Sequence, residues 1–109
     1  VSRGILSTIY ATLRQEITTE ALLSVYADLY VDEPFVRLMG MDVFPNISQV
    51  RGSNYCDIGV RADGRTGRVT IVSVIDNLIK GASGQAVQNM NIMYNLPEET
   101  GLSTYPDPI

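Results

Sequence analysis

The chain has 109 residues, 45% of them hydrophobic and 18% charged, with a net charge of −4 at neutral pH. That length suits one domain with its own core and is short for two. Seven arginines, spread from Arg3 to Arg68, and the single Lys80 give no basic stripe for nucleic acid, and no apolar run approaches the roughly 18 residues of a membrane span.

Arg3 to Leu13 mixes Ile5, Leu6, Ile9, Tyr10 and Leu13 with Ser7, Thr8 and Thr12, which predicts a strand with one imperfect face. Ile17-Thr18-Thr19-Glu20 supplies a capping threonine and an acidic first turn. Leu22, Leu23, Tyr26, Leu29 and Tyr30 follow at helical spacing, so a helix is expected from about Glu20 to Tyr30. Asp32-Glu33-Pro34 ends it, because proline disfavours helical geometry in the residue before it. Phe35 to Met39 reads as a short strand. Gly40 to Gly52 is a loop turned at Pro45-Asn46, with room for one helical turn before Val50, and Met41, Val43 and Phe44 suggest that it is packed down.

From Tyr55 the chain alternates, with Cys56, Ile58 and Val60 on one face and Asp57, Gly59 and Arg61 on the other. Asp63-Gly64 and Thr66-Gly67 turn it back into Arg68 to Asp76, a β-hairpin with a loop longer than the tightest type. Cys56 is the only cysteine and the chain has no histidine. Intrachain disulfides, zinc sites and Cys–His or Ser–His pairs are therefore excluded within this chain, and a reducing, cytoplasmic setting is expected. On its apolar strand face Cys56 reads as a small hydrophobe. The chain shows no signal peptide, and its start at Val1 without methionine suggests a fragment or processed product.

The segment Ile75 to Asn91 is the most informative. A Val/Ile-rich strand, Val69 to Ile75, runs into Gly81 and Gly84 and then a helix expected to end near Asn95. Ala82, Ala86, Met90 and Met93 make a narrow apolar stripe, and Gln85, Gln88, Asn89 and Asn91 occupy the other side. Small residues at such a helix mouth permit close approach of a ligand or of another backbone, whose anionic or carbonyl groups the free N–H groups attract. Simple packing explains the glycines equally well at this point. Lys80 precedes the glycines, which excludes a Walker loop, and the Rossmann fingerprint is absent too. Beyond the helix, Pro97, Pro106 and Pro108 predict an extended tail. The order strand, helix, strand, loop, strand, strand, helix, tail predicts an α+β fold, a mixed sheet with helices on one face. An apolar face left uncovered would imply a partner domain or subunit.

Three stretches carry a resemblance: Arg3-Gly4-Ile5-Leu6-Ser7-Thr8, Arg51-Gly52-Ser53-Asn54-Tyr55-Cys56-Asp57-Ile58-Gly59, and Asp76 through Asn91, with Asp32-Glu33-Pro34-Phe35-Val36 as a further match. Together they resemble the C-terminal part of the N-acetyl-γ-glutamyl-phosphate reductase family, from Arg3 to about Leu102. The last stretch is shared with aspartate-semialdehyde dehydrogenases, whereas Arg-Gly-Ser-Asn-Tyr-Cys-Asp points to the reductases. The resemblance implies that residues 1–109 are the C-terminal part of a glyceraldehyde-phosphate-dehydrogenase-type catalytic and dimerisation domain. An N-terminal Rossmann domain that binds NADPH would be its partner within one subunit, and dimers or tetramers would form through the sheet. In the family a cysteine thiolate attacks the acyl phosphate, phosphate leaves, and hydride reduces the thioester. That cysteine belongs to a Gly-Cys-Tyr motif, and the base histidine lies just before the Arg-Gly-Ile-Leu motif. Neither position exists in these residues, so the chain alone is expected to be inactive.

By the same resemblance Asn77 contacts the nicotinamide carboxamide, its amide being able to donate and accept, although an Asx turn would use the same side chain. Gly81, Ala82 and Gly84 would lie close to the cofactor and to the Rossmann domain. Arg51 is expected to bind a carboxylate or phosphate of the substrate, or to form a surface or interdomain salt bridge. Gln85 and Gln88 face substrate, that domain or solvent. Arg3 is near the site without an assigned role, and Asp57 and Asp76 read as structural acceptors. Two alternatives remain at this stage, a stand-alone oligomerisation module without chemistry and a fragment of an aspartate-semialdehyde dehydrogenase.

Overall fold

The computed structural model describes residues 3–102, so Pro106 and Pro108 lie outside the described residues. The chain forms β1 (Ile5–Thr12), α1 (Thr19–Leu29), β2 (Val36–Leu38), a 3₁₀ turn (Ile47–Gln49), β3 (Cys56–Asp63), β4 (Arg68–Ile75), a π-helical turn (Ile79–Ser83) and α2 (Gly84–Met93). The four strands make one mixed sheet in the order β1-β4-β3-β2. β1 and β3 each run antiparallel to β4, and β2 runs parallel to β3.

Local chemistry explains the boundaries. The Thr18 side chain accepts the Ala21 N–H at 3.1 Å and starts α1, satisfying one of the amides a helix start leaves unpaired. In the β3–β4 turn the Gly67 N–H donates to the Asp63 carbonyl at 2.9 Å, and Gly67 takes φ +70°, a conformation that a side chain disfavours. Short β2 is anchored by Arg37, which donates two hydrogen bonds, at 2.7 and 2.9 Å, to its register partner Asp57. Asp57 is therefore a structural acceptor, buried but paired. α2 ends at Tyr94 because Asn95 adopts φ +57° while the Leu96 N–H reaches back to the Asn91 carbonyl at 2.8 Å, a turn that closes the last helical carbonyls.

The core lies where α1 packs on one face of the sheet. Leu22 meets Ile58, Val60 and Val69, with Cys56, Val36, Leu38 and Ile71 packed around them. Cys56 thus takes the hydrophobic position its alternation predicts, with its Sγ 3.3 Å from the Ser73 Oγ.

The opposite face carries Val72 and Val74, both buried, and it is not left bare. The loop from Gly40 to Gly52 crosses it. A Cβ on Gly59 would stand 2.8 Å from the Val43 carbonyl oxygen and 2.9 Å from Pro45 Cδ, and one on Gly4 would collide with the Ile47 side chain. The loop is indeed packed down, through its backbone, Pro45, Val50 and the edge of the Phe44 ring against Gly59, while Met41 and Val43 are exposed. The expected bare face is thereby corrected to a bare strand. β1 is exposed along its whole length on both faces, because it stands at the edge of the sheet beyond the reach of α1 and with the loop touching only its start. Ile5, Leu6, Ile9 and Tyr10 are its exposed apolar residues.

Candidate functional site

β4 runs out into two polar residues, and these gather distant parts of the chain. Asp76 has no exposed surface. Its Oδ1 accepts the Leu78 N–H at 2.8 Å, the Asx turn that opens the following helical segment. Its Oδ2 accepts both the Gly52 N–H and the Arg3 Nε–H, each at 2.7 Å. Asn77 completes the junction, its Oδ1 accepting the Gly4 N–H at 2.7 Å. The Asx turn thus belongs to Asp76 and not to Asn77. Burial pushes the Asp76 carboxyl up, but the donors from Gly52, Leu78 and Arg3 outweigh it and hold it below the ordinary carboxylate value.

The three stretches that carry the family resemblance therefore converge on one carboxylate. Arg3 and Gly4 come from the start of β1, Arg51 and Gly52 from the end of the long loop, and Asp76 to Leu78 from the mouth of the last helix. Arg51, one peptide from Gly52, is half-buried, and its Nε is buried with no hydrogen-bond partner among the described residues. It is therefore a guanidinium with a donor to spare.

The helix mouth itself is a π-turn. The N–H groups of Gly81, Ser83 and Gly84 donate to the carbonyls of Asp76, Leu78 and Ile79, each five residues back. Such single π-turns widen the helix and recur at functional sites. Gly81 and Ala82 are exposed on it. Gly84 is turned inward and covered by the Asn54 side chain and the Ile79 carbonyl, where any Cβ would collide. Gln85 is held by Asn89 one turn on, its Nε2 donating at 2.8 Å, and is not joined to the Asp76 cluster.

α2 is oriented opposite to a common amphipathic helix. Its buried residues are Gly84, Gln88 and Asn91, and the stripe Ala82, Ala86, Met90 and Met93 is exposed. The amides go inward because they have partners there. The Gln88 Oε1 accepts from Asn54 Nδ2 at 3.0 Å and from Lys80 Nζ at 2.7 Å, and its Nε2 donates to Glu98 at 3.2 Å. Asn91 Nδ2 donates to the Glu98 and Thr100 carbonyls, both at 2.9 Å. Lys80 also lies 5.6 Å from the centre of the Phe35 ring. Burial pushes its ammonium down, against the opposing influence of Cys56, Glu98 and Glu33. Sequence reasoning missed this network. The available signal was the single lysine followed, within eleven residues, by four amides.

Surface clefts of about 390 Å³ beside Arg37 and Asp57 and about 410 Å³ at the hairpin turn do not include Asn77 or Arg51. No helix among the described residues is long and apolar enough to cross a membrane.

Comparison with known proteins agrees with this arrangement. Residues 1–77 match the family described as semialdehyde dehydrogenase, dimerisation domain. The chain is 61% identical over 102 residues to an N-acetyl-gamma-glutamyl-phosphate reductase of Geobacter sulfurreducens, covering 94% of this chain and 30% of that protein. It is 57% identical over 106 residues to the protein of the same name from Geobacter metallireducens, covering 97% and 31%. It thus spans about a third of the length of these relatives. Aspartate semialdehyde dehydrogenase II from Vibrio cholerae shares the fold, with a TM-score of 0.66 at 23% identity over 85% of this chain and 28% of that one. Its sheet of four mixed strands, its three convergent motifs and these matches place the chain in the semialdehyde dehydrogenase family, with residues 1–77 in the dimerisation domain.

Proposed function

We propose that the chain is the C-terminal part of an NADPH-dependent N-acetyl-γ-glutamyl-phosphate reductase of the cytoplasm, acting in arginine biosynthesis. The reaction would convert N-acetyl-γ-glutamyl phosphate to N-acetyl-glutamate 5-semialdehyde and phosphate. The observation that carries this reading is the identity of 54–61% to relatives of that name over at least 94% of the chain. Three solved structures named as aspartate-semialdehyde dehydrogenases are 20–23% identical to the chain and support the fold alone.

The residues at the helix mouth fit a nicotinamide cofactor. Asn77 keeps its Nδ2 without a partner among the described residues while Gly4 fixes its Oδ1, so the amide is oriented in advance beside the exposed Gly81–Ala82 turn. NADPH, when bound, supplies the hydride. Asn77 would orient its carboxamide, and Arg51 would bind an anionic group of the acyl phosphate through its guanidinium. The cysteine nucleophile and the histidine base would come from the rest of the subunit. The outward stripe of α2, with Met90 and Met93, would pack against the Rossmann domain, and β1 would contribute to a dimer or tetramer interface.

Steady-state kinetics of the full-length protein with NADPH and each acyl phosphate test the reading. Turnover of N-acetyl-γ-glutamyl phosphate with at least about a hundredfold preference in kcat/KM over aspartyl phosphate is expected. Asn77→Ala should raise the NADPH KM or lower kcat by about tenfold. Preference for aspartyl phosphate would refute the reductase assignment, and unchanged kinetics would remove Asn77 from the site.

A further inference from the structure

We infer that Asp76 is a positioning residue of this reductase, holding the start of β1 and the Arg51–Gly52 turn against the helix mouth that carries Asn77. The inference rests on the reductase reading above and concerns what aligns its parts. The two oxygens of Asp76 have separate tasks. Oδ1 serves the local turn through Leu78 N–H, a bond that an asparagine makes equally well. Oδ2 receives two donors from remote segments, the Gly52 N–H and the Arg3 Nε–H. Only a carboxylate presents acceptors on both sides.

The hydrogen bonds of strand pairing are separate from this clamp. β1 is already matched to β4 residue by residue from Ile5 to Thr12, and a buried charge is a poor source of stability compared with apolar packing. What the clamp adds is alignment at one end of the sheet. There both candidate binding residues stand one peptide away from a clamped group, Asn77 beside Asp76 and Arg51 beside Gly52. Loss of Oδ2 removes one tether from the loop bearing Arg51 and one from the β1 start together, while the local turn and the Gly4–Asn77 bond survive. Displacements of about 1 Å in such supporting groups cost about a hundredfold in rate.

The test uses the full-length protein with Asp76→Asn, Arg3→Met, Arg3→Lys and the double variant Arg3→Met/Asp76→Asn. Asp76→Asn keeps the bond to Leu78 and sets an NH₂ against the two remote donors. It should lower kcat about ten- to hundredfold and raise the KM for the acyl phosphate in a protein that sediments as wild type. Arg3→Met should give a smaller loss, Arg3→Lys should recover part of it, and the double variant should be no worse than Asp76→Asn alone. Wild-type kcat and KM in the folded single variants, with only the melting temperature lowered, would overturn the inference, as would losses that multiply in the double variant. Should Asp76→Asn not fold, Arg3→Met decides, and wild-type kinetics there overturn it. A wild type that does not reduce N-acetyl-γ-glutamyl phosphate overturns the reductase reading and this inference with it. An active wild type with unaffected variants overturns the inference alone.

Discussion

Asp76 titrates under opposing influences, and their balance fixes the sign of a pH effect. Burial raises its pKa, while the Gly52 and Leu78 amides and Arg3 lower it, with a net fall from the ordinary 3.8. A carboxyl whose folded pKa lies below its unfolded one contributes stability that is fully present above the unfolded value. That contribution is lost as pH falls from there through the folded value. The melting temperature of the full-length protein should therefore drop as the pH falls below the ordinary 3.8 of the carboxyl, more steeply for wild type than for Asp76→Asn. Parallel acid profiles would show that Asp76 has the same pKa folded and unfolded. That Asp76 acts as an acceptor is legible in its place after a buried strand. Which donors it gathers is not, because Arg3 and Gly52 lie 73 and 24 residues away.

Helix α2 shows how far an element can depart from its own pattern. An apolar stripe ordinarily marks the inner face, yet here Met93 is 78% exposed whereas Asn91 is 1% exposed. Gly84, Gln88 and Asn91 recur at spacings of four and three, as the stripe does, so spacing alone cannot choose between the two orientations. The choice is made by Asn54, Lys80, Glu98 and the Thr100 carbonyl, which offer the amides partners and which no window on the helix contains. Asn91→Ala would leave the Glu98 and Thr100 carbonyls without their donor. About 2 kcal/mol should be lost locally, seen as about thirtyfold faster hydrogen exchange of the Thr100 and Leu102 amides. Equal exchange rates would mean that the segment after α2 is held by other contacts. By contrast, the elements with local signals were readable. Thr18 caps α1 within one residue of the expected start, Pro34 follows its end, and the glycines of the β3–β4 turn sit where the hairpin reverses.

On the scale of the whole molecule, apolar surface is distributed unevenly. The core under α1 is closed and the loop seals the centre of the other face, but β1 displays Ile5 and Ile9 on one side and Leu6 and Tyr10 on the other. An edge strand of eight residues with apolar side chains on both faces is a liability in isolation, and the proposed subunit contact would cover it. The double variant Leu6→Lys/Tyr10→Lys should weaken self-association of the full-length protein by at least about tenfold, measured by sedimentation across a concentration series. An unchanged dissociation constant would place the subunit contact elsewhere. The α+β class and the strand order along the chain were legible. The bare strand in place of a bare face was not, since nothing local in the Gly40 to Gly52 loop says which surface it will cross.

The pairing of β1 with β4 has one more implication. A slip of two residues along β4 would keep every side chain on its own face, so the alternation of β1 alone does not oppose it. Such a slip would carry Arg3 and Gly4 about 7 Å from Asp76 and Asn77. The ion pair and the Gly4 amide bond thus act as an end stop, and they fix a phase that the in-and-out alternation of the strand leaves open.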